Sequence, residues 1–226
     1  DIYRVLDYAD KVGMKENLYL EDWSSGMIDS PEYVETIMEA LYKTPILRFL
    51  LPDTLGILNP IQVGEYMTKM IQMWPKSRFD FHAHNDYDMA VANSLAAVKA
   101  GASGLHVTVN GLGERCGNAP LSSVQVMLRD QLHLKTNINE STLVDATHLV
   151  EGYSGIAVAP NMPVVGDNVF TQVAGVHADG DNKGNLYNND LKPERFGRHR
   201  EYALGKNSGK ANIVQNLKDL GLELTP

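Results

Sequence analysis

Short hydrophobic runs alternate along this chain with polar loops and with segments that have the spacing of amphipathic helices. The four runs cover residues 18–22, 46–51, 78–82 and 104–109. The helical segments that follow them are predicted at 31–43, 60–74, 88–100 and 120–133. Proline stands first in three of these segments, and proline is tolerated where a helix begins. This alternation predicts βα units and an α/β fold with a parallel sheet.

Two α/β architectures are built from such units. A doubly wound sheet that binds dinucleotides carries a G-x-G-x-x-G turn after an early strand, and this chain lacks that spacing. A (β/α)8 barrel places its chemistry at the C-terminal ends of its strands. Polar candidates stand at those ends here, namely Glu21, Asp53, Thr54, His82, His84 and Asn110. Because four of the eight units are present, we predict half of a (β/α)8 barrel over roughly the first 135 residues.

The pattern changes after Asn137, where the chain becomes richer in glycine, asparagine and other polar residues. One more helix is predicted at 140–153, a looser region at 175–209, and a short amphipathic helix near the C-terminal end. We therefore divide the chain into 1–150, the half barrel, and 151–226, a second region. The first residues have the pattern of a helix tail, so we expect a fragment of a longer protein.

Composition narrows the class of protein. The 226 residues are 43% hydrophobic and carry a net charge of -8, which argues against nucleic acid as the main partner. No apolar run reaches the length of a membrane span, and no signal peptide opens the chain. A single cysteine, Cys116, excludes an intrachain disulfide and fits a reducing compartment. We therefore expect a cytoplasmic protein that binds neither nucleic acid nor membranes.

The stretch "FDFHAHND" (79–86) is the strongest candidate site in the chain. Alternate residues of a strand face the same side, so His82 and His84 point together at the end of the third run. Two imidazoles on one face can bind a divalent metal with further ligands from neighbouring strands. A bare H-x-H pair is more often two histidines bonded to the backbone, but the following Asn85-Asp86 and the strand-end position favour a metal site.

Weaker candidates surround this pair. Glu21, in "YLED", is a general acid/base or a solvated carboxylate, and Tyr19 shares its face by the same alternation. Thr54 can bond a substrate carboxylate or cap the turn after its strand. Asn118, in the glycine-rich "NGLGERCGN", offers an amide oxygen to a metal. Cys116 in the same loop is a reactive thiol or, with better odds, an ordinary free cysteine.

The stretch "HADGDNKGNLY" (177–187) is dense in oxygen ligands and glycine. It does not match a calcium-binding EF-hand loop, because Lys183 occupies the fifth position and Asp190 the twelfth. The "GKNSGK" at 205–210 does not match a phosphate-binding loop, since three residues rather than four separate its glycines. The first of these two stretches remains either a surface turn or part of a site.

Taken together, "HAHND…AVANSLAAVKAGA" (82–102), "NGLGERCGN" (110–118) and "GKNSG" (205–209) resemble the motifs of one enzyme family. This is the metal-dependent TIM-barrel family of 2-isopropylmalate synthase, homocitrate synthase, citramalate synthase and 3-hydroxy-3-methylglutaryl-CoA lyase. The resemblance covers essentially the whole chain. It implies that the chain holds the C-terminal half of the barrel, strands five to eight, followed by small linker subdomains that contribute to the active site. The Arg-Asp pair of the family's first strand has no counterpart here.

The resemblance also assigns roles to residues. The implied metal ligands are His82, His84 and Asn118, and the metal is Zn, Mn or Mg. Glu21, His177 and Tyr187 are implied as catalytic, with the last two reaching a neighbouring subunit of a homodimer from the linker. The implied substrate-binding residues are Tyr19, Thr54, Asp179, Asn185 and Leu186. The Tyr87-Asp88 pair departs from the small residue that many members have after "HND".

The implied reaction is a Claisen-type condensation of acetyl-CoA with a 2-oxo acid. The linker run "GVHADGDNKGNLYNNDLKPERFG" resembles the citramalate synthase branch, whose oxo acid is pyruvate. The alternative within the family is 2-isopropylmalate synthase, which takes 2-oxoisovalerate. A metal-dependent lyase that uses Cys116 is a different class, and a fragment that turns nothing over is another.

Overall fold

The computed structural model describes residues 1–184, 186, 188–206 and 208–222. Contacts between Cα atoms divide the chain into two compact units, 1–128 and 129–226, which are described separately below. The boundary predicted between residues 150 and 151 stays a prediction.

The first unit is built on a four-stranded parallel sheet. Its strands are β1 (Asn17–Tyr19), β2 (Arg48–Asp53), β3 (Phe79–Ala83) and β4 (Gly104–His106), and they lie side by side in chain order. In the register, Leu51 pairs with Phe81 and His82 with His106. The predicted α/β fold with a parallel sheet is confirmed. Each strand neighbours the next along the chain, which is the order of a singly wound sheet rather than a doubly wound one.

Helices connect these strands. They are α1 (Ile2–Lys11), α2 (Trp23–Asp29), α3 (Pro31–Leu41), α4 (Pro60–Met73), α5 (Ala90–Ala100) and α6 (Leu121–Asp130). The four that begin at residues 31, 60, 90 and 121 lie at the predicted places, and the short helix that begins at residue 23 was not predicted. Helix α4 begins where Asn59 accepts hydrogen bonds from the backbone N–H groups of Ile61 and Gln62, which satisfies donors that a helix leaves unpaired. Helix α6 begins one residue after Pro120, because Pro120 instead forms a bridge with Thr108.

The two faces of the sheet differ in chemistry. Four side chains of β2 and β3 alternate onto one face and are at most 2% exposed: Phe49, Leu51, Phe79 and Phe81. They form the core together with apolar residues of α4 and α5, and burying each large apolar side chain contributes about 1.5–3 kcal/mol. The other face carries Arg48, Asp80 and His82, so the polar groups of the strands share the side away from this core.

The second unit contains α7 (Leu143–Ser154), α8 (Gly175–Asn182), α9 (Lys210–Asp219) and a two-stranded parallel sheet of β5 (Thr171–Gln172) and β6 (Glu201–Tyr202). In this unit the side chain of Arg195 forms two ion pairs, with Asp130 at 2.9 Å and with Glu140 at 3.0 Å. Hydrogen bonding to Glu140, followed by that to Asp130, raises the pKa of Arg195 despite its burial. This cluster fastens residues that are far apart in sequence.

Residues 175–182 form a helix where the sequence indicated a loose, glycine-containing arm. An ion pair of 2.6 Å between Asp179 and Lys183, four residues apart, supports that turn of helix. Gly175 is required at its start, because a Cβ atom there would lie 2.9 Å from the backbone nitrogen of Gly209. In the part of the chain that the structure describes, no helix combines the length and the apolar character that a membrane crossing needs.

Candidate functional site

Glu21 and Thr54 meet at the C-terminal ends of β1 and β2. Strand β1 ends at Tyr19, so strand alternation does not place Glu21; a left-handed turn at Asp22, with φ 55°, follows it instead. The backbone N–H of Asp22 donates to Thr54 Oγ1 at 3.1 Å, and that hydroxyl donates to Glu21 Oε1 at 3.0 Å. The Thr54 proton therefore points at Glu21, and a substrate carboxylate would take the place of Glu21 to accept it.

Asp53, the other polar residue of this strand end, has a structural role. It is fully buried and turns to the helix side of the sheet, where it accepts hydrogen bonds from the backbone N–H groups of Ile57 and Leu58. Burial raises its pKa, and these hydrogen bonds oppose that effect. Asp53 thus shapes the turn between β2 and α4 and leaves Thr54 as the candidate for substrate.

His82 and His84 lie together, as strand alternation predicts. Their ring centroids are 5.1 Å apart, and the rings are almost perpendicular. The Nδ1 atom of His82 lies 3.3 Å from the backbone carbonyl oxygen of His106. A hydrogen bond from Nδ1–H to a carbonyl leaves the lone pair on Nε2, which is the arrangement found in metal-bound histidines. Burial lowers the pKa of His82, which favours the neutral imidazole that binds metals.

Asn118 joins this pair through a bridge between its backbone and that of His84. Its side chain is buried, and its amide Nδ2 donates to the carbonyl of Leu112 at 2.8 Å, which fixes the orientation of the amide. Asn118 Oδ1 and His84 Nδ1 are both buried, and neither has a hydrogen-bond partner among the residues that the structure describes. Leaving a polar atom in that state costs about 1–3 kcal/mol.

These residues fit a divalent metal, because two imidazoles and an amide oxygen are suitable ligands and two of their atoms lack other partners. Among the described residues, no three side chains of histidine, cysteine, aspartate or glutamate are grouped so that they could hold a metal ion. A metal bound by His82, His84 and Asn118 would therefore take its remaining ligands from water, substrate or residues outside this set.

The glycine-rich loop between β4 and α6 positions Asn118. Gly117 has φ +78°, and a Cβ atom there would lie 1.9 Å from the carbonyl oxygen of Gly111. A Cβ atom at Gly113 would lie 2.1 Å from Asn118 Nδ2. Only glycine fits at these two positions, so the loop's composition follows from the close packing of its own backbone.

Arg115 ties this loop to both neighbouring strand ends. Its Nε lies 2.6 Å from Asp86 Oδ1, and its Nη2 donates to the carbonyl of Thr54 at 2.7 Å. Hydrogen bonding to Arg115 lowers the pKa of Asp86. The ion pair of Arg115 with its sequence neighbour Glu114 is longer, at 3.6 Å. Asp86 could have been singled out from the sequence by its position two residues after His84.

A second series of linked polar side chains, which we call the polar chain and which the sequence did not indicate, lies on the same face of the sheet. It runs from Tyr19 through His106 and Asp80 to Arg48. The Tyr19 hydroxyl lies 2.7 Å from His106 Nδ1, and His106 Nε2 lies 3.6 Å from Asp80. Arg48 contacts both oxygens of Asp80 at 2.9 Å. Burial, followed by the charge of Asp80 and then that of Glu21, raises the pKa of Tyr19. Asp80 precedes His82 by two residues, so strand alternation could have placed it beside the histidines.

The candidates in the second unit are described only in part. His177 lies in α8, and its side chain is outside the described part of the structure, as are Asn185 and Tyr187 entirely. Asp179 bonds Lys183, and Leu186 is 69% exposed. Their predicted roles stay predictions. Cys116, in the first unit, is an exposed free cysteine.

Relatives with curated names match nearly all of this chain. A probable 2-isopropylmalate synthase of Ignicoccus hospitalis is 36% identical over 222 residues, which are 98% of this chain and 55% of that protein. A homocitrate synthase of Sulfolobus acidocaldarius is 37% identical over 99% of this chain and 47% of its own length. A putative (R)-citramalate synthase of Methanopyrus kandleri is 36% identical over 97% and 43%. The chain spans about half the length of these relatives.

Solved structures also resemble this chain. A crystal structure of an HMG-CoA lyase from Bacillus subtilis superposes with a TM-score of 0.59 at 26% identity, covering 69% of this chain and 55% of that one. Residues 164–226 match the family described as homocitrate synthase post-HMGL domain-like. Residues 2–150, more than half of the chain, match the family described as HMGL-like. The chain belongs to the HMGL-like family.

Proposed function

We propose that this chain is part of a divalent-metal-dependent acyltransferase that condenses acetyl-CoA with a 2-oxo acid. The observation that carries the proposal is the pair of buried atoms His84 Nδ1 and Asn118 Oδ1, which have no hydrogen-bond partner in the described part of the chain and belong to residues grouped with His82. The Glu21–Thr54 pair, at the same edge of the sheet, supplies the carboxylate and hydroxyl that the reaction needs. The named synthases among the relatives support the same chemistry.

We further propose that the four βα units are strands five to eight of a (β/α)8 barrel and that 151–226 are linker subdomains. Two observations support this arrangement: the strands follow one another in chain order, and one face of the sheet is polar. A barrel encloses such a face. The relatives, about twice as long as this chain, provide the length that a complete barrel would require.

Each candidate side chain has a task in this proposal. A bound metal supplies Lewis-acid polarisation of the ketone oxygen. The Thr54 hydroxyl donates a hydrogen bond to the 2-oxo acid carboxylate, which releases Glu21 from its own hydrogen bond to Thr54. Glu21, assisted by His177, then accepts a proton from the methyl group of acetyl-CoA. The resulting carbon nucleophile bonds to the ketone carbon, and water hydrolyses the thioester, which releases free coenzyme A and the 2-hydroxy acid. Tyr19 would line the oxo-acid pocket at the same edge of the sheet.

The linker residues complete the proposal. Tyr187, with Asp179, Asn185 and Leu186, would contact substrate in the neighbouring subunit of a homodimer that works in the cytoplasm. A solved HMG-CoA lyase of this fold, 25% identical, carries coenzyme A and 3-methylmalate. The thiol coenzyme A and a substituted dicarboxylic acid are therefore ligands of that relative, and the proposed reaction releases the same two kinds of molecule as products.

Pyruvate is the proposed oxo acid, which makes citramalate the product. The similarity of residues 175–197 to the citramalate synthase branch supports this choice. The alternative is 2-oxoisovalerate, whose larger side chain would require a wider pocket around Tyr19. The named relatives include both kinds of synthase at 36% identity, so the choice rests on the pocket rather than on overall similarity. A few methylene groups give only about 10- to 200-fold discrimination.

A metal-dependent lyase is the second candidate function, and the exposed thiol of Cys116 in the glycine loop is the observation that favours it. Cleavage that is lost in Cys116→Ser, while condensation is absent, would support the lyase. A fragment without activity of its own is the third candidate, and we expect the 226-residue chain alone to turn over no substrate. Condensation by that chain alone would contradict this expectation.

The decisive experiment measures thiol release from acetyl-CoA by the complete protein. Pyruvate, 2-oxoisovalerate and 2-oxoglutarate are offered in parallel, each with and without a chelator. We expect chelator-sensitive release that is fastest with pyruvate. Release that is insensitive to the chelator would refute the metal site, and a preference for 2-oxoisovalerate would replace citramalate by 2-isopropylmalate as the product.

A further inference from the structure

In the polar chain from Tyr19 to Arg48, Tyr19 has a role in the proposed reaction, whereas His106, Asp80 and Arg48 have none. The positions of these three residues are nevertheless closely fixed. Asp80 is 3% exposed, and Arg48 binds both of its carboxylate oxygens. A Cβ atom at Gly104 would lie 2.8 Å from Asp80 Oδ1, so the glycine on β4 leaves the room that this carboxylate occupies. His106 follows Gly104 by two residues and lies beside the same carboxylate.

The neighbours of His106 determine which of its ring nitrogens carries the proton. The carboxylate of Asp80 lies 3.6 Å from Nε2, where it attracts a proton and repels a lone pair. With Nε2 protonated, Nδ1 is an acceptor, and the Tyr19 hydroxyl at 2.7 Å is its donor. The Tyr19 oxygen can then act only as a hydrogen-bond acceptor towards other groups.

We infer that His106, oriented by Asp80, is a positioning residue that holds the Tyr19 hydroxyl in one orientation towards the oxo-acid pocket. This inference rests on the proposed function for the pocket itself. The two rings meet edge to face, at 5.7 Å between centroids, which restricts the phenol ring as well as its hydroxyl. With its proton directed at His106, the Tyr19 oxygen can only accept hydrogen bonds from other groups, so the part of the proposed pocket beside Tyr19 suits an apolar side chain on the oxo acid better than a second carboxylate.

His106 also touches the candidate metal site, but through its backbone. Its carbonyl oxygen is the partner of His82 Nδ1. A substitution of the His106 side chain leaves that carbonyl in place, so the two connections are separable. A variant of His106 should therefore alter the pocket through Tyr19 while the metal content of the protein stays unchanged.

The test is a double-mutant cycle on Tyr19 and His106 in the complete protein, with thiol release as the assay. His106→Leu should raise the KM for the 2-oxo acid by about two- to tenfold, the range for one lost hydrogen bond, and leave kcat and the KM for acetyl-CoA nearly unchanged. In a Tyr19→Phe background the same substitution should change that KM by less than about twofold, because the hydroxyl is already gone.

Two further variants separate positioning from general damage. His106→Asn keeps an acceptor near the position of Nδ1 and should recover most of the lost KM. The matched control is His148→Leu, which removes another histidine bonded to a carboxylate, Glu151 at 2.9 Å on α7; it should leave all parameters unchanged. An equal effect of His106→Leu in both backgrounds, or a failure of His106→Asn to restore KM, would overturn the inference.

A measurement that does not depend on enzyme activity tests this inference separately from the proposed function. In the ¹⁵N NMR spectrum of the histidine-labelled complete protein, the resonance missing from His106→Asn identifies His106. An unprotonated Nδ1 supports the inference, and a protonated Nδ1 overturns it, whether or not the protein condenses any substrate. If no 2-oxo acid is condensed, the proposed function fails by itself.

Discussion

His84→Phe tests the metal site through the stability of the protein. His84 Nδ1 is buried without a hydrogen-bond partner among the described residues, and such an atom costs about 1–3 kcal/mol. Phenylalanine has a similar shape and lacks the unpaired nitrogen. The metal-free variant should therefore be at least as stable as the metal-free parent, although a substitution in a packed site is usually destabilising.

Added metal should raise the stability of the parent but not that of His84→Phe. A ligand at 100 times its dissociation constant stabilises the folded state by about 2.7 kcal/mol, which corresponds to roughly 5–10 °C in Tm for a cooperative folding unit of about 150–250 residues. The parent should gain that increase with Mn²⁺ or Zn²⁺, and His84→Phe should gain almost none.

Thermal unfolding of the complete protein, after chelation and again with each metal, is the assay. His148→Phe is the control, because its ring lies on the surface of α7 at 55% exposure; it should keep the full response to metal. A metal-induced rise in Tm that survives in His84→Phe would refute the assignment of His84 as a ligand. A large loss of stability in the metal-free variant would show that Nδ1 is satisfied after all.

Three further predictions follow from the geometry. Gly117→Ala should lower the free energy of unfolding in urea by at least about 1–3 kcal/mol, because the φ of Gly117 is +78° and a Cβ atom there would overlap a carbonyl oxygen. The control is Gly152→Ala, which lies in a helix with open space around it and should be neutral or stabilising by up to about 1 kcal/mol. Arg195→Ala should cost about 3–5 kcal/mol by the same measurement, since it removes the ion pair of the largely buried Asp130 and one of the two arginine partners of Glu140, whereas Arg4→Ala, at 85% exposure, should cost almost nothing. Thr54→Val should raise the KM for the 2-oxo acid by about two- to tenfold in the thiol-release assay, with the KM for acetyl-CoA unchanged; equal effects on both constants would contradict its proposed contact.

The local pattern of the sequence was sufficient for the fold of the first unit. Each helix from α3 to α6 lies at its predicted place because periodic apolar residues determine a helix from within about 15 residues. The pattern did not determine where each strand ends. Strand β1 ends at Tyr19 because the left-handed turn at Asp22 interrupts the extended backbone, and no hydrophobic pattern encodes that turn.

The polar contacts across the sheet required the tertiary structure. His82 and His84 were predictable as a pair, because the alternation of β3 continues to His84, one residue beyond the end of the strand at Ala83. The partners of that pair come from other strands: His106 through its carbonyl and Asn118 through the glycine loop. Their distance along the chain carries no information about contact, so no spacing rule could select them.

The sequence alone determined that this chain forms parallel βα units, that polar residues gather at strand ends, and that its motifs are those of the HMGL-like family. Only the tertiary structure decided that Asp53 faces the helices while Thr54 meets Glu21, that Asp86 binds Arg115, and that residues 175–182 are helical. The physical reason is the range of the forces involved. Hydrophobic periodicity acts within one element, whereas the direction of a polar side chain depends on which atoms of distant segments surround it.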